Sequence, residues 1–345
     1  MVNDAGGALV QPAEWTDHEA CLTAFPEHEY AWGDELAAAQ GEFATFIETI
    51  CEQGAEPVWL LCPQSSMARG RLSHLEPRIR FVDIPYGDVW LRDTAPIFVR
   101  GARQARRFRF NGWGGKYIYP HDAELAAHLA DRLGLQCPEV SLVSEGGALE
   151  SDGEGTYLTT RVCLIDDNRN PGLDQLAVEQ ILARDLGARQ LIWLDDGLQF
   201  DHTDGHIDNV ARFVAPGTVT CMTPSGEDDP QRAVLPAIEA ALRSATDHTG
   251  RPLKVHTIPS PGLVLGPDRA PMAASYMNFY IANRAVIVPG YGTPWDEPAR
   301  AALQRLFPRR SVIMLPARAI LTGGGSFHCV TQQVPVSAEV RTWVR

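Results

Sequence analysis

No stretch of this sequence approaches the roughly 18 consecutive apolar residues of a membrane-spanning helix. The N-terminal segment Met1–Gly7 lacks the basic and apolar regions of a signal peptide. The seven cysteines are scattered singly and form no C-x-x-C pair, so neither a disulfide framework nor a zinc site is indicated. These absences predict a reduced, soluble, cytoplasmic protein without a transmembrane helix.

The composition is that of a globular protein, with 45% hydrophobic and 21% charged residues in a chain of 345. A net charge of -13 argues against nucleic acid or an anionic membrane as a partner and suits a cationic ligand. No break in composition separates two parts of the chain. We therefore expect a single domain over residues 1–345.

Short strand-like runs alternate with amphipathic runs of helical period, which predicts a mixed α/β fold. Helices are predicted over Glu35–Glu52, Asp122–Leu133, Asp174–Leu186, Pro230–Ala245 and Glu297–Phe307. Strands are predicted over Trp59–Leu61, Ile79–Ile84, Gln190–Leu194, Val210–Val214, Thr218–Met222, Leu253–Thr257, Tyr276–Ile281, Ala285–Val288, Ser311–Leu315 and Val330–Val334.

Polar motifs recur along the chain at comparable intervals. They centre on five residues, with gaps of 52, 61, 72 and 51 positions: Asp93, Glu145, His206, Asn278 and Cys329. If five similar units each carried one such motif, all five would meet at a central axis. The spacing is typical of radial repetition, as in a propeller.

The C-terminal motif places a cysteine directly after a bare loop. Gly323–Gly325 removes side chains from the backbone, and Cys329 follows at the start of a β-prone run. This is the placement of a nucleophile. The alternative is a buried core cysteine, the commonest state of a free thiol, but packing alone gives no reason for three glycines.

The other motifs each have a structural alternative. Asp93 beside Arg92 could be a simple ion pair, and Glu145 before two glycines could mark a turn. His206 and Asp208 would point to the same face of a strand, since they are two residues apart. Trp113 with its flanking glycines could line the same pocket or form a turn, and the sequence does not decide between the two.

A metal site is the rival interpretation of the run Asp201–Asn209, because imidazole and carboxylate are ordinary ligands. Against it, no H-E-x-x-H spacing occurs. His328 and Cys329 are also adjacent, and on a strand they would face opposite ways. We expect no metal.

Together these motifs supply one thiol, one histidine and several carboxylates. A cysteine and a histidine suggest nucleophilic attack with acid–base help. The extra carboxylates suit a planar cation, because guanidinium presents a rigid fork of donors that carboxylates grip bidentately. The set therefore predicts chemistry on a guanidinium group.

At these residues the chain resembles the agmatine deiminase family, which includes bacterial-type peptidylarginine deiminases. The resemblance spans most of the sequence: Glu14–Pro26, Trp90–Asp93, Phe110–Tyr117, Glu145–Gly147, Leu158–Thr160, Asn168–Pro171, Gly205–Asn209, Tyr276–Asn283 and Gly323–Gln333. It implies the pentein fold, an α/β propeller of five ββαβ-type blades around a pseudo-fivefold axis. It also implies that a guanidine is hydrolysed to a ureido group and ammonia through a thiouronium on cysteine.

The resemblance also implies roles for individual residues. By this resemblance, Cys329 corresponds to the nucleophile of the family and His206 to its general acid and base. Asp93 and Asp208 would clamp the guanidinium, and Glu145 would orient His206 or complete the clamp. Trp90 would wall the aliphatic stem, and Asn278 would support the polar network. No cofactor is implied, and a homodimer is compatible with the resemblance.

We expect agmatine as the substrate and N-carbamoylputrescine as the product. No arginine lies between Phe110 and Asp131 to bind an α-carboxylate, and Lys116 is the one cation there. The acidic cluster Asp201, Asp204 and Asp208 is expected to attract the amine of agmatine, with Asp204 as a substrate contact. The alternatives are arginine or peptidylarginine as substrate, an amidinotransferase, and a non-catalytic guanidinium-binding protein.

Overall fold

Within residues 9–99 and 104–336, which the computed structural model describes, sixteen strands form five small sheets. Met1–Gly7, the segment that lacks the features of a signal peptide, lies outside these residues. The strands are β1 His18–Ala24, β2 Val58–Leu61, β3 Ile79–Val82, β4 Ile97–Phe98, β5 Ala105–Arg109, β6 Glu139–Val143, β7 Glu150–Ser151, β8 Thr156–Thr160, β9 Gln190–Leu194, β10 Ala211–Ala215, β11 Thr218–Thr223, β12 Lys254–Pro259, β13 Tyr280–Ile281, β14 Ala285–Gly290, β15 Ser311–Pro316 and β16 Thr331–Pro335.

The helices are α1 Glu29–Trp32, α2 Leu36–Glu52, α3 Met67–Arg71, α4 Leu91–Thr94, α5 Gly112–Gly115, α6 Asp122–Leu133, α7 Arg161–Leu164, α8 Gln175–Leu186, α9 Leu235–Ser244, α10 Asp296–Leu306 and α11 Arg318–Thr322. Short 3-10 turns cover Gly33–Glu35, Ser73–Leu75, Gly146–Ala148 and Ile207–Asn209. None of the helices described here is long and apolar enough to cross a membrane.

The five sheets repeat one topology. In each, an antiparallel pair is followed by a parallel partner, in the orders β16-β1-β2, β4-β5-β6, β7-β8-β9, β10-β11-β12 and β13-β14-β15, with β3 added to the first sheet. A helix lies between the two parallel strands every time, because a parallel connection needs a crossover. The radial repetition predicted from the motif spacing is confirmed.

The last strand completes the first sheet. β16 pairs antiparallel with β1, which places Thr23 opposite Thr331 and Leu22 opposite Gln332. The Thr23 hydroxyl donates to the carbonyl of Val330 at 2.8 Å. This pairing fixes β16 beside β1 and closes the ring at Val330, the residue that follows Cys329.

The long crossover helices follow the predicted periodicity. α8 begins after Asp174, whose carboxylate accepts from the backbone N–H of Ala177 at 2.9 Å. α9 begins later than predicted, at Leu235, because Asp229 instead holds a turn by accepting from the N–H groups of Ser225 and Gln231. Each of these helices buries an apolar face against its sheet.

The predicted strand Tyr276–Ile281 is shorter than expected and covers Tyr280–Ile281 alone. Side chains occupy the backbone groups of the preceding residues. The Met277 N–H donates to the Ser275 hydroxyl at 3.0 Å, and the Met277 carbonyl accepts from Arg212 at 3.1 Å. A ladder cannot form where its donors and acceptors are already used.

The predicted site residues lie just before the first strand of each sheet. Asp93 precedes β4, Glu145 precedes β7, Asn278 precedes β13 and Cys329 precedes β16. His206 and Asp208 precede β10. Because the sheets are equivalent in topology, these entry segments all meet near the centre of the ring.

Candidate active site

Cys329 lies in the turn before β16, and its thiol is held by Asn278. The Asn278 amide nitrogen donates to Sγ at 3.0 Å, and the amide oxygen accepts from the N–H groups of His328 and Cys329 at 3.0 and 3.2 Å. Cys329 is 3% exposed. Asn278 therefore fixes both the backbone and the sulfur of the candidate nucleophile.

The glycine run leaves the approach to this thiol open. A Cβ atom on Gly325 would lie 2.7 Å from the Trp90 ring and 3.1 Å from the sulfur of Cys329. Gly324 has φ +108°, a conformation that side chains rarely adopt. A side chain at Gly325 would enter the space in front of the thiol, and side chains at Gly323 and Gly324 would meet the rings of Trp32, Trp90 and His202.

Asp93, on the short helix α4, places a carboxylate in front of the same space. The indole N–H of Trp113 donates to Oδ2 at 2.9 Å, and the backbone N–H of Gly147 donates to Oδ1 at 2.9 Å. Burial raises the pKa of Asp93 to about 6, against the attraction of His206 and with added repulsion from Asp208.

Asp208 supplies the second carboxylate. Its Oδ2 lies 2.7 Å from His328 Nδ1 and accepts from Cys329 Sγ at 3.5 Å. Burial raises the pKa of Asp208, but the hydrogen bond and charge of His328 outweigh it and hold the pKa below its usual value. The other oxygen, Oδ1, is buried without a hydrogen-bond partner. A buried carboxylate oxygen left unpaired in this way is a binding position for a donor.

His206 completes the cluster. Its Nε2 lies 3.3 Å from Glu145 Oε2, and its Nδ1 lies 3.8 Å from Asp93 Oδ1 without a hydrogen bond. Burial lowers the pKa of His206, yet Asp93, Cys163 and Glu145 raise it well above the usual value. The neighbouring carboxylates therefore favour the imidazolium, the form that can act as an acid.

Carboxylates that favour the charged form of His206 disfavour the charged form of the Cys329 thiol. Burial and the nearby charges of Asp208 and Asp93 raise the pKa of Cys329 well above its usual value. The two carboxylates thus favour the neutral thiol over the thiolate. A cation arriving between the two carboxylates would remove the cause of that shift.

A cleft leads to the thiol from the surface. It is lined by Ala31, Trp90, Asp93, Trp113, Tyr117, Tyr119, His202, Thr203, Thr322, Gly323, Gly324, Gly325 and Cys329. Trp90 stacks on Trp32 with ring centroids 5.9 Å apart, and both indole N–H groups donate to Asp88. Among the lining residues that the structure describes, none is arginine or lysine. The cleft is aromatic in its walls and anionic at its base.

Other parts of the predicted site lie differently from expectation. Asp204 does not line the cleft, because its carboxylate binds Lys116 and Arg169 at 2.7 Å each. Asp201 accepts from the Thr203 N–H and hydroxyl, so it too is engaged. Asp201 and Asp204 are therefore held by protein donors, and of the three predicted acids Asp208 keeps a carboxylate oxygen without a partner.

The expectation that His206 and Asp208 lie on a strand is wrong, since Ile207–Asn209 forms a 3-10 turn. The expectation that His328 faces away from Cys329 on a strand is also wrong. Both residues lie in the turn before β16, and both contact Oδ2 of Asp208. A turn does not alternate side chains as a strand does, so adjacent residues can reach the same group.

Arg92 likewise lies on a helical turn and not on a strand. Its guanidinium donates to Gln333 at 2.6 Å and does not line the cleft.

The ligand atoms of Glu145, Cys163 and His206 lie within 4.8 Å of one another and form the one candidate metal cluster among the described residues. Arg169 Nε, however, lies 3.1 and 3.0 Å from the two oxygens of Glu145. A metal ion there would lie beside a buried guanidinium. The donor set suits a histidine oriented by a carboxylate better than a metal centre.

The family model of the Porphyromonas-type peptidyl-arginine deiminases matches residues 10–335. The chain belongs to this family. An agmatine deiminase of Stutzerimonas stutzeri is 38% identical over 354 residues, covering 94% of this chain and 95% of that protein. The structure of an agmatine deiminase of Enterococcus faecalis has a TM-score of 0.88 at 30% identity, covering 96% of this chain and 98% of that chain.

A more distant structure shares the fold alone. DDAH from Pseudomonas aeruginosa has a TM-score of 0.54 at 13% identity, covering 92% of this chain and 99% of that chain. Together with the five repeated sheets, this confirms the pentein fold expected from the sequence.

Sequence reasoning missed several residues that build the site in this family member. Arg169 binds Glu145, and Cys163 lies beside His206. Trp113, for which the sequence left two possibilities, binds Asp93 and adopts φ +53°, an uncommon conformation for a residue with a side chain. Its flanking glycines were a usable signal, since they permit the left-handed run that aims the indole inward.

Gly147 gives the sharpest test of how tightly the cluster is packed. A Cβ atom there would lie 2.5 Å from His206 Nδ1, 2.9 Å from Asp93 Oδ1 and 3.1 Å from Asp208 Oδ2. We expect Gly147→Ala to remain folded by circular dichroism but to lose about 100-fold in kcat/KM, the usual effect of misplacing catalytic groups by about 1 Å.

The matched control is Gly41→Ala. Gly41 lies within α2, and a Cβ atom there meets nothing within 4 Å. This variant should keep wild-type kcat/KM and gain about 0.5–1 kcal/mol of stability from the better helix former. Wild-type kcat/KM in Gly147→Ala would mean that the three side chains are not packed as described.

Proposed function

We propose that the protein hydrolyses agmatine to N-carbamoylputrescine and ammonia through a covalent intermediate on Cys329. One observation carries the proposal. Two buried carboxylates, Asp93 and Asp208, flank a neutral thiol at the base of a cleft whose described lining holds no arginine or lysine. That is a site for a planar cation whose carbon is to be attacked.

The guanidinium is bound between the two carboxylates. Asp208 Oδ1 is free to accept from one N–H edge, and Asp93 accepts from another. Charge-assisted bonds of this kind are short and directional, so they fix the guanidinium plane and bring its central carbon over the sulfur. Trp90 and Trp113 form the walls along which the aliphatic stem lies.

Binding of the cation also activates the nucleophile. The positive charge offsets Asp93 and Asp208, which are what keep the pKa of Cys329 high after burial itself. The thiol then releases its proton to solvent, and the thiolate attacks the guanidinium carbon to give a tetrahedral adduct. In this scheme a thiolate forms only when substrate is present to react with it.

His206 supplies the proton transfers. As an imidazolium it protonates the departing amino group, and the C–N bond breaks to leave a thiouronium on Cys329 and free ammonia. The neutral imidazole then takes a proton from water, whose oxygen attacks the same carbon. Collapse of the second adduct breaks the C–S bond, gives the ureido product and returns the thiolate, which regains a proton. Glu145, fixed by Arg169, holds the ring throughout.

The cleft favours agmatine over arginine because its described lining offers no cationic side chain to pair with the α-carboxylate of arginine. An α-carboxylate would need a cationic partner once desolvated, and Lys116 is already bound to Asp204 and to the His202 carbonyl. The acidic cluster does not take the amine, because Asp204 is paired. We assign the amine end to the mouth of the cleft, where the rings of Tyr117 and Tyr119 can make cation–π contacts.

The reaction is tested by product analysis with the cysteine variant as its partner. Wild-type protein should release ammonia and N-carbamoylputrescine from agmatine, and mass spectrometry of quenched enzyme should show an adduct on Cys329. Cys329→Ser should stay folded and lose turnover by several orders of magnitude, because a hydroxyl is too weakly acidic to replace a thiol. Undiminished turnover in Cys329→Ser would disprove covalent catalysis, and amidino transfer to an added amine would indicate a transferase.

The acid side of the pH profile should report Asp93. Its pKa is raised to about 6, and it must be ionised to bind the cation, so kcat/KM should rise with pH through about 6 and level off above. Asp208→Asn removes a like charge and should move the remaining acid limb to lower pH, although kcat/KM itself falls. An acid limb that stays in place in Asp208→Asn would show that Asp93 does not control it.

Substrate choice is tested by comparing kcat/KM for agmatine, L-arginine and a blocked arginyl peptide. Agmatine should be preferred by at least about 100-fold over arginine, since an unpaired desolvated charge costs more than about 3 kcal/mol. Equal turnover of arginine or the peptide would overturn the substrate assignment and leave the deiminase chemistry in place.

A further inference from the structure

Behind the second clamp carboxylate, the ring of His328 bridges two acids. Nδ1 lies 2.7 Å from Asp208 Oδ2, and Nε2 lies 2.7 Å from Glu14 Oε2. All three residues are buried. Ionised carboxylates only accept hydrogen bonds, and a neutral histidine could donate to just one of them, so this geometry places both ring nitrogens of His328 as donors.

Both acids are ionised in this arrangement. Glu14 accepts from Arg212 Nη2 at 2.7 Å and from the Ile281 N–H at 2.7 Å. Burial raises the pKa of Glu14, but Arg212 and His328 outweigh it and hold the pKa far below its usual value. The pKa of Asp208 is lowered against burial by His328 itself. The oxygens that face His328 already accept from other donors, Glu14 Oε2 from Arg212 and Asp208 Oδ2 from Cys329, so neither is placed to donate a proton to a neutral histidine.

We propose that His328 is a positioning residue which, as an imidazolium shared between Asp208 and Glu14, fixes the Asp208 carboxylate with one oxygen free for the substrate. This inference rests on the proposed function, in which Asp208 binds the guanidinium. Both ring nitrogens of His328 and both oxygens of Glu14 are engaged by protein groups, so neither residue offers the substrate a free donor or acceptor. Both act through Asp208.

The hydrogen bonds of Asp208 show how the His328 imidazolium fixes the orientation of the carboxylate. Its Oδ2 is occupied by His328 and by the sulfur of Cys329, whereas Oδ1 has no partner. Without the His328 bond the carboxylate could turn, and either oxygen could leave the guanidinium position. His328 also precedes Cys329, and both backbone N–H groups donate to Asn278 Oδ1. The same residue thus links the clamp to the nucleophile.

The charged groups around His328, Asp208 and Glu14 determine what happens to Asp208 when His328 is replaced. On the far side, Glu14 is contacted by Arg212 at 2.7 Å and by Arg92 at 3.6 Å, and Arg212 also binds Glu150 at 2.9 Å. These ion pairs satisfy Glu14 and Glu150; Arg212 makes no hydrogen bond to Asp208, although its charge, like that of His206, also lowers the pKa of Asp208.

On the cleft side, Asp208 faces Cys329, the Asp93 carboxylate and His206. His328 is the one group that gives Asp208 both a charge and a hydrogen bond. If that charge is lost, the pKa of Asp208 must rise.

A purely structural role is the alternative, and the chain offers a matched control for it. His18 Nδ1 lies 3.1 Å from Glu56 Oε1, both side chains are fully buried, and neither lines the cleft. Tyr280 also donates to Glu56 at 2.6 Å. This second histidine–carboxylate pair lies in the same kind of environment as His328 and lacks a bond to any clamp residue.

The test uses paired amide substitutions. In His328→Asn the side-chain amide can replace the Nδ1 hydrogen bond to Asp208 but cannot reach Glu14. In His328→Gln the amide can reach Glu14 but loses the hydrogen bond to Asp208. Both substitutions remove the positive charge of the ring. We expect kcat/KM for agmatine to fall by about 30-fold in His328→Asn and further in His328→Gln, the effect of leaving a buried charge without its partner. The acid limb of kcat/KM should move to higher pH and steepen, because Asp208 then titrates together with Asp93.

The control His18→Asn should lower the melting temperature and leave the pH profile of kcat/KM unchanged. If His328→Asn merely lowers the melting temperature in the same way, with the wild-type acid limb, the positioning role is wrong. Wild-type activity in His328→Gln would equally contradict it.

A readout independent of turnover separates this inference from the proposed function. In protein labelled with ¹⁵N-histidine, the ring signals that disappear in His328→Asn should show both nitrogens protonated at pH 7. A single protonated nitrogen would overturn the inference even in an active enzyme. If the doubly protonated ring is present but wild-type protein releases no product from agmatine, it is the proposed function that fails.

Discussion

The structure depends on holding carboxylates together around one thiol in a space from which water is largely excluded. Asp93 and Asp208 repel each other and disfavour the thiolate form of Cys329, and burial strengthens both effects. The protein tolerates it because each acid has its own donors: the indole of Trp113 and a backbone N–H for Asp93, and the imidazolium of His328 for Asp208. Oδ1 of Asp208 is left without a hydrogen-bond donor, and the site keeps an excess of negative charge. A guanidinium would supply both the donor and the positive charge.

This arrangement needs a ring. The donors and acids come from different sheets: α4 precedes the second, Gly146–Ala148 the third, Ile207–Asn209 the fourth, and the turn with Cys329 leads back into the first. No single segment could place them at these distances, since residues close in sequence diverge along a strand. The pairing of β16 with β1 is what brings Cys329 to the other four units.

Much of the local structure could be predicted because it depends on neighbouring residues. α6 and β9 have the predicted bounds, since their apolar spacing and flanking turn residues are local signals. The failures have tertiary causes. Tyr276–Ile281 is mostly not a strand because Arg212 and Ser275 occupy its backbone groups, and Asp204 does not face the cleft because Lys116 and Arg169 bind it. Such partners lie up to 88 residues away, beyond any local pattern.

The sequence by itself determined the fivefold spacing of polar motifs, the bare glycine loop before Cys329, and the residue types that suit a guanidinium. Only the tertiary structure decided which charges remain free. His328 and Cys329 are adjacent in sequence, yet one forms a buried ion bridge to Glu14 and the other faces the cleft. The reason is physical: the ionisation of a buried group is set by the charges and donors within a few ångströms of it, and in this ring those come from distant parts of the chain.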